Sequence, residues 1–454
     1  MKFVHYVGTN QLASTKYRSA ISNNQNVLVD GISAKANIAV NLNLDGKPLT
    51  PSFSGSTLDL FDIGAFVYLV DEMFERSQTT NYWTRSLDCL IPVNDLSVWR
   101  KNHRLLQKIL GFLSGDSWRF EWVHFDSPLV QHSHRQGLPE GFDAVCLFSG
   151  GTDSLMGSLQ LLDAGRKVLL VGHQSEGQTA SAQTALANEL RKIYKDHLCF
   201  VQCRVSKSPR RMPTYSLPLE KENSHRIRSF LFLALGTAIA AQCGIMDVFM
   251  PENGFMALNV PIQKSRVGAL STRTAHPAFI IRFSALVRNI GIFAGNIKNP
   301  FITQSKTDML RGLNPSLRSL ILRSTSCSKP SRYNNLGVRH CGYCIPCIHR
   351  RIAFMEAGID RAEDYAFDVF GGMHSLPLNK QQDFRALVRF AEQVATATPA
   401  WLENLILSHG YFPSNTGSIL GTSPTLDYGP WVQMLKRWAD DFCSKIRNRT
   451  SSTV

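Results

Sequence analysis

One hexapeptide constrains this chain more than any other feature: Ser149-Gly150-Gly151-Thr152-Asp153-Ser154, preceded by the apolar run Ala144-Val145-Cys146-Leu147-Phe148. A buried strand that hands over to a helix through two glycines aims backbone N–H groups and the positive end of the helix dipole at one point, which favours an anion. Consecutive glycines permit positive φ and close approach to a phosphate, and the Ser149 and Ser154 hydroxyls add donors. Phe148, Ser149, Gly150, Gly151, Thr152, Asp153 and Ser154 are therefore the candidate nucleotide-binding residues. Ser149 and Asp153 are also catalytic candidates, with Asp153 expected to orient the loop or help hold Mg2+. The Gly-Lys-Ser/Thr ending of a Walker A loop is absent, and so is Gly-x-Gly-x-x-Gly, which disfavours kinase and hydride-transfer chemistry.

From Asp143 onward strand and helix take turns. Lys167 to Val171, Leu198 to Val205 and Met246 to Met250 read as strands; Ser154 to Ala164, Thr179 to Lys195 and Ser224 to Cys243 read as helices. That alternation predicts an α/β, Rossmann-like parallel sheet covered by helices on both faces. At 454 residues the chain exceeds one ordinary domain. The expected units are residues 1–140, 141–325, 326–375 and 376–454. The first, with strand-like Val27-Leu28-Val29 and Ile38 to Leu44 and helices from Leu58 to Glu75 and Leu96 to Leu113, is expected to be a separate α+β domain. The last reads as helical, interrupted by a surface loop from Pro413 to Pro424.

Composition narrows the partners. Lys+Arg exceeds Asp+Glu by 49 to 35, giving +14. Such a chain suits ATP phosphates, nucleic acid or an acidic protein face. Lys436, Arg437, Lys445, Arg447 and Arg449 gather in the tail, where the solvated-face reading outweighs nucleic-acid binding. Ser229 to Met246 carries no charge, but Gly236, Gln242 and the stop at Gly244 suit a buried helix rather than a membrane span. The first residues, Met1-Lys2-Phe3-Val4-His5, lack a signal-peptide core, so a cytoplasmic location is expected.

Of the ten cysteines, six are scattered among apolar neighbours and read as small buried hydrophobes. The other four, Cys327, Cys341, Cys344 and Cys347, follow C-x13-C-x2-C-x2-C, which brings three thiolates onto one knuckle and lets the fourth close a tetrahedron. Structural zinc is the leading expectation, ahead of an iron–sulfur cluster or a catalytic thiol. His340 and His349 lie close enough in sequence to replace Cys327 as the fourth ligand. Arg226, Arg228 and Lys306 are the basic residues that would stand near phosphates or an activated carboxylate, weighed against the commoner situation of a surface arginine at a helix start or a solvated lysine. His173 follows the second strand, where this fold opens its ligand crevice, with a histidine satisfied by the backbone as the equal alternative.

Ser-Gly-Gly-x-Asp-Ser after a short strand resembles the phosphate loop of the PP-loop ATP pyrophosphatases. That resemblance implies ATP cleaved between its α and β phosphates, activating a carboxylate as an adenylate that a nitrogen or sulfur nucleophile displaces. Together with Cys341-Gly342-x-Cys344-x-x-Cys347, Arg350-Arg351 and Ala353-Phe354-Met355-Glu356-Ala357-Gly358-Ile359, the pattern over residues 141–375 is similar to the QueC-like enzymes, the 7-cyano-7-deazaguanine synthases. The resemblance implies ATP, Mg2+ and Zn2+ as cofactors and a deazaguanine-like acid as substrate. The family's Tyr-Pro-Asp-Cys-Arg loop has no clean match, although Thr272-Arg273-Thr274-Ala275-His276-Pro277 falls on similar ground. The enlarged layout, with about 140 residues before the phosphate loop and some 80 after the cysteine region, looks like that of the QueC-like component of bacterial anti-phage operons, the Qat system above all. It implies transfer of the acid to the amino terminus of a partner protein from the same operon. Synthesis of the free nitrile for queuosine-type pathways, and modification of tRNA or other nucleic acid, are the competing expectations.

Overall fold

The computed structural model describes residues 2–6, 15–23, 26–30, 38–51, 53–125, 137–174, 178–207, 222, 224–260, 262, 270–311, 313–329, 332–409 and 427–450. Strands along these residues are β1 Lys2–Tyr6, β2 Val27–Asp30, β3 Ile38–Leu44, β4 Lys47–Leu49, β5 Ser86–Val93, β6 Ser117–His124, β7 Ala144–Leu147, β8 Val168–His173, β9 Leu198–Lys207, β10 Asp247–Phe249 and β11 Asn296–Lys298. They form two sheets. The larger runs β11-β10-β7-β8-β9-β3-β4, parallel from β11 to β9 and antiparallel beyond.

Side chains of its central strands alternate between two cores, as the period of two demands. Ala144, Cys146, Phe148, Val168 and Leu170 pack with Leu155, Leu159 and Leu162 of helix Thr152–Asp163 and with Leu186 and Leu190 of helix Gln178–Tyr194. Val145, Leu147, Leu169 and Val171 face the opposite core with Phe230, Leu233 and Ala234 of helix Arg228–Gln242. Both faces are covered, which is why these strands are continuously apolar rather than alternating.

The expectation of a separate α+β domain over residues 1–140 is corrected in two ways. First, β2-β1-β5-β6 is itself an all-parallel sheet, with helices Thr15–Ser22, Gly55–Met73 and Leu96–Ser114 between its strands, so the unit is α/β. Second, the boundary at residue 140 is crossed. β3 and β4 leave this unit and extend the large sheet, β3 pairing antiparallel with β9 from Ile38↔Lys207 to Leu44↔Val201. Val40, Leu42 and Leu44 are buried while Ala39 and Asn41 are exposed, the pattern of a strand covered on one face. The turn at Asp45 and Gly46 uses positive φ at both, 51° and 84°, which suits a tight hairpin. The strand signal was thus correct and its sheet was not, because sequence alternation carries no partner.

Helix Gly55–Met73 seats the N-terminal unit on the large sheet. A Cβ at Gly64 would stand 2.9 Å from the Ala234 Cβ, so glycine allows the two helix backbones to meet. The uncharged stretch expected to be core forms helix Arg228–Gln242, followed by Gly244 at φ +66°. Among the described residues no helix is long and apolar enough to cross a membrane.

The C-terminal helices Leu378–Thr396 and Gly429–Thr450 pack around helix Ile345–Glu356. The tail's basic residues bind back onto the protein: Lys436 Nζ donates to the Ala397 carbonyl at 2.6 Å, Lys445 pairs with Glu356 at 2.6 Å, and Arg437 pairs with Asp308 at 3.3 Å. The loop expected from Pro413 to Pro424 lies outside the described residues.

Candidate active site

The phosphate-loop candidate stands at the C-terminal end of β7, the central position of the parallel strands. Phe148 N–H still bonds to the Val171 carbonyl at 2.8 Å, after which the chain turns. Ser154 Oγ accepts from Ser149 N–H at 3.2 Å, lies 3.1 Å from Ser149 Oγ, and donates to the Gly151 carbonyl at 3.1 Å. Ser149 Oγ in turn accepts from Gly151 N–H at 3.3 Å. The two serines thus brace the turn. Gly150 has φ +78°, and a Cβ there would meet Gln183 Cα at 3.3 Å, so both conformation and space call for glycine. Gln183 Nε2 donates to the Phe148 carbonyl at 2.9 Å, fastening the end of β7.

Thr152 joins the loop to a distant segment. Its hydroxyl lies 2.9 Å from Ser324 Oγ and 2.8 Å from Ser326 Oγ, and Thr325 N–H donates to the Gly150 carbonyl at 3.0 Å. Buried Arg350 donates to Thr152 Oγ1 at 3.1 Å, Ser324 Oγ at 2.8 Å and the Leu322 carbonyl at 3.0 Å.

Asp153 and Lys306 are brought together as a buried ion pair. Asn253 donates to Asp153 Oδ2 from its backbone at 3.2 Å and from its side chain at 2.7 Å. Burial pushes the Asp153 carboxyl up, but the Lys306 charge and hydrogen bonds from Glu252, Lys306 and Asn253 outweigh it and hold it at about 2. Glu252 moves the other way: burial and the neighbouring Asp153 charge raise it well above the usual carboxylate range. Lys306 is held there as the first residue of helix Lys306–Leu310, which Ser305 and Asp308 cap reciprocally.

The four cysteines also meet. Their sulfurs all lie within 4.8 Å of one another, with Cys341 Sγ 3.9 Å from Cys347 Sγ; tetrahedral zinc–thiolate bonds imply an edge of about 3.8 Å. Backbone N–H groups of Lys329, Cys341 and Cys344 point at sulfurs at 3.3, 3.4 and 3.3 Å, as suits thiolates. The donor set therefore fits zinc. Gly342, at φ +81°, would carry a Cβ 1.9 Å from the Phe367 carbonyl oxygen. Neither histidine is in the cluster: His340 Nε2 accepts from Ser326 N–H at 3.4 Å, and His349 Nδ1 accepts from Trp438 at 3.2 Å. The segment from Ser324 to Cys327 is shared, bonding to the phosphate loop at one end and supplying a sulfur at the other.

The contacts of Arg226 and Arg228 are with residues other than those of the loop. Arg226 donates to the Ser114 carbonyl at 2.7 Å and lies 5.4 Å from the Trp83 ring, within a cluster of Arg76, Asp71, Asp116 and Glu222 that joins the N-terminal unit to the large sheet. Arg228 lies over Phe232, and His173 is buried between Tyr68 and Phe232. Within 272–277, Arg273 donates to the Phe112 carbonyl at 2.8 Å and His276 caps helix Pro277–Asn289.

Residues that the sequence reading left without a role are Glu252, Asn253, Gln183, Ser324, Ser326 and Arg350. Pro251-Glu252-Asn253-Gly254 begins two residues past the end of β10, where open α/β sheets bind ligands, and that position was the available signal.

No family model matches the chain, and no solved structure matches it. Among curated proteins, the 7-cyano-7-deazaguanine synthase of Methanothrix thermoacetophila is 26% identical over 239 residues, 49% of this chain and 98% of that protein. This similarity supports a QueC-like reading for about half of the chain.

Proposed function

We propose that this chain is an ATP-dependent QueC-like enzyme that adenylates a carboxylate of the 7-carboxy-7-deazaguanine kind and transfers it to an amine. The proposed acceptor is a partner protein within a bacterial anti-phage system. The observation that carries the reading is the braced Ser149–Ser154 turn at the end of β7 with the Asp153–Lys306 pair behind it.

In this reading the loop N–H groups and the Ser149 hydroxyl bind the phosphates of ATP. A carboxylate oxygen attacks the α phosphorus and pyrophosphate leaves with the electron pair of the broken P–O bond. The amine nitrogen then attacks the acyl carbon, AMP departs, and the amine proton passes to water. Lys306, fixed by Asp153, offsets charge developing on the leaving pyrophosphate. Asp153 and Glu252 are oxygen donors of the type Mg2+ takes, and bound Mg2+ would supply further phosphate neutralisation. Arg226 holds the N-terminal unit in place, and Arg228 faces the acid. Cys327, Cys341, Cys344 and Cys347 would hold zinc, which would pin the start of helix Ile345–Glu356, the helix from which Arg350 reaches Thr152.

The test is incubation of the full chain with ATP, Mg2+ and 7-carboxy-7-deazaguanine, with and without the protein encoded beside it. AMP and pyrophosphate, plus a mass increase of the partner, are expected. Absence of AMP with the partner present rejects the proposal. AMP with free nitrile formed from ammonia, and an unmodified partner, would replace protein transfer by the chemistry for which the relative is named.

A further inference from the structure

Two neighbouring helices carry charge of one sign only. Helix Leu96–Ser114 contains Arg100, Lys101, Arg104 and Lys108 and no carboxylate; helix Pro277–Asn289 contains Arg282 and Arg288 and again no carboxylate. Helices Leu378–Thr396 and Gly429–Thr450, by contrast, interleave Asp and Glu with their bases, the ordinary composition of a solvated face.

The two helices lie antiparallel, side by side. His276, the N-cap of the second, meets Phe112 near the end of the first with ring centroids 5.2 Å apart. Asn289, the last residue of the second, donates to Asn102 Oδ1 near the start of the first at 3.2 Å. Trp99, Leu106, Ile109, Leu110 and Leu113 are buried, which leaves Arg100, Lys101, Arg104 and Lys108 exposed on the opposite face. Arg100, Arg104 and Lys108 stand at i, i+4 and i+8, a row with one cation about every 6 Å. Phe112 comes one turn later, and the guanidinium of Arg282 lies 5.0 Å from its ring, so the second helix extends the row. Arg288, on the same helix, is exposed.

Among the described residues none of these six bases forms an ion pair, whereas Arg119, Arg166 and Arg311 elsewhere pair with Asp88, Asp143 and Asp441. Burial pulls the Arg282 guanidinium below the usual arginine range, and no acid offsets it. A face of this kind keeps its positive potential for a partner instead of spending it within the fold.

We infer that this two-helix face binds the phosphate backbone of a nucleic-acid double helix. Evenly spaced cations match a polymer whose anions repeat at a fixed interval, and an acidic protein patch has no such regularity. Single strands are held by aromatic side chains on which unpaired bases stack. Here Trp99, Phe279 and Phe283 are buried, and Phe112 is covered by the guanidiniums of Arg273 and Arg282, so paired bases are the better fit. Contacts to phosphate alone position such a polymer without reading its sequence. The inference is independent of the adenylation reading, because neither the phosphate loop nor the cysteine cluster takes part.

Fluorescence anisotropy on the full chain tests it, with labelled DNA and RNA duplexes of one sequence, the corresponding single strand and a polyglutamate peptide. One duplex or both should bind, with affinity falling roughly hundredfold between about 50 and 200 mM salt for about four phosphate contacts. Arg104→Glu with Lys108→Glu should weaken duplex binding at least about tenfold, and Arg100→Gln alone should lower the salt slope by about 1. Arg385→Gln with Arg389→Gln, at exposed positions of helix Leu378–Thr396, should leave duplex affinity within about twofold. Thermal melting and zinc content check that each variant folds, and the single Arg100→Gln change carries the test should the double reversal fail. No duplex binding at low salt, unchanged binding in the folded variants, or tighter binding of the single strand or the peptide overturns the inference.

Discussion

The phosphate loop and the four-cysteine cluster lie at opposite ends of the segment from Ser324 to Cys327, and they are held by different physics. The loop is organised by many weak polar contacts, each worth about 0.5–1.5 kcal/mol net. The cluster relies on four ligands, and zinc bound to such a set supplies on the order of 10 kcal/mol of apparent folding free energy. The difference teaches how labour is divided. A site that must bind and release nucleotide is braced by replaceable hydrogen bonds, while the element that aims Arg350 at it is pinned by a set suited to a permanent ion.

The largest expected effect comes from breaking the cluster. Cys341→Ser or Cys344→Ser should abolish zinc in metal analysis and remove most of the cooperative melting transition, whereas His340→Ala and His349→Ala should keep the zinc of the wild type. Full zinc retention in both cysteine variants would refute the site.

Next comes the ion pair behind the loop. Asp153→Ala leaves Lys306 buried without its carboxylate and should cost about 3–5 kcal/mol in denaturant unfolding. Adding Lys306→Met should recover much of that stability without restoring AMP formation. A double variant no more stable than the single one would show that the pair is not the source of the loss.

Arg350→Met probes the link between the two regions. It removes charge-assisted hydrogen bonds to Thr152 and Ser324 worth about 1.5–3 kcal/mol each, and should weaken ATP binding while zinc content stays constant. Loss of zinc in this variant would mean that the two regions fold as one unit. The smallest effect is expected from Ser154→Ala, which removes the hydroxyl bracing Ser149 and Gly151. About 1 kcal/mol of stability should be lost, with a lower rate of pyrophosphate release; an unchanged rate would show that the backbone alone shapes the turn.

Much of this was legible in the chain itself. Ser149, Gly151 and Ser154 satisfy one another within six residues, so their arrangement follows from local sequence. The cysteine spacing brings three sulfurs together on one knuckle in the same way. The partners of Asp153 were less visible: Lys306 was a candidate, but Asn253 and Glu252 carried no motif that named them. Arg226 read like Arg228 because both stand at the start of one apolar helix, and only packing separates the residue at the Ser114 carbonyl from the one over Phe232. The N-terminal unit was misread because β3 shows the alternation of a strand without showing which sheet receives it.

The sequence by itself determined the strand-to-helix turn with its two glycines, the cysteine set and strands β7 to β10 with the helices between them. These depend on backbone conformation and on periodicity, which neighbouring residues dictate. Tertiary structure alone decided that β3 and β4 join the large sheet, that the first sheet is parallel, that Asp153 shares its site with Glu252, and that Arg350 ties the cysteine knuckle to Thr152. Each of these pairs groups far apart in the chain, and their choice of partner is set by which surfaces exclude water together.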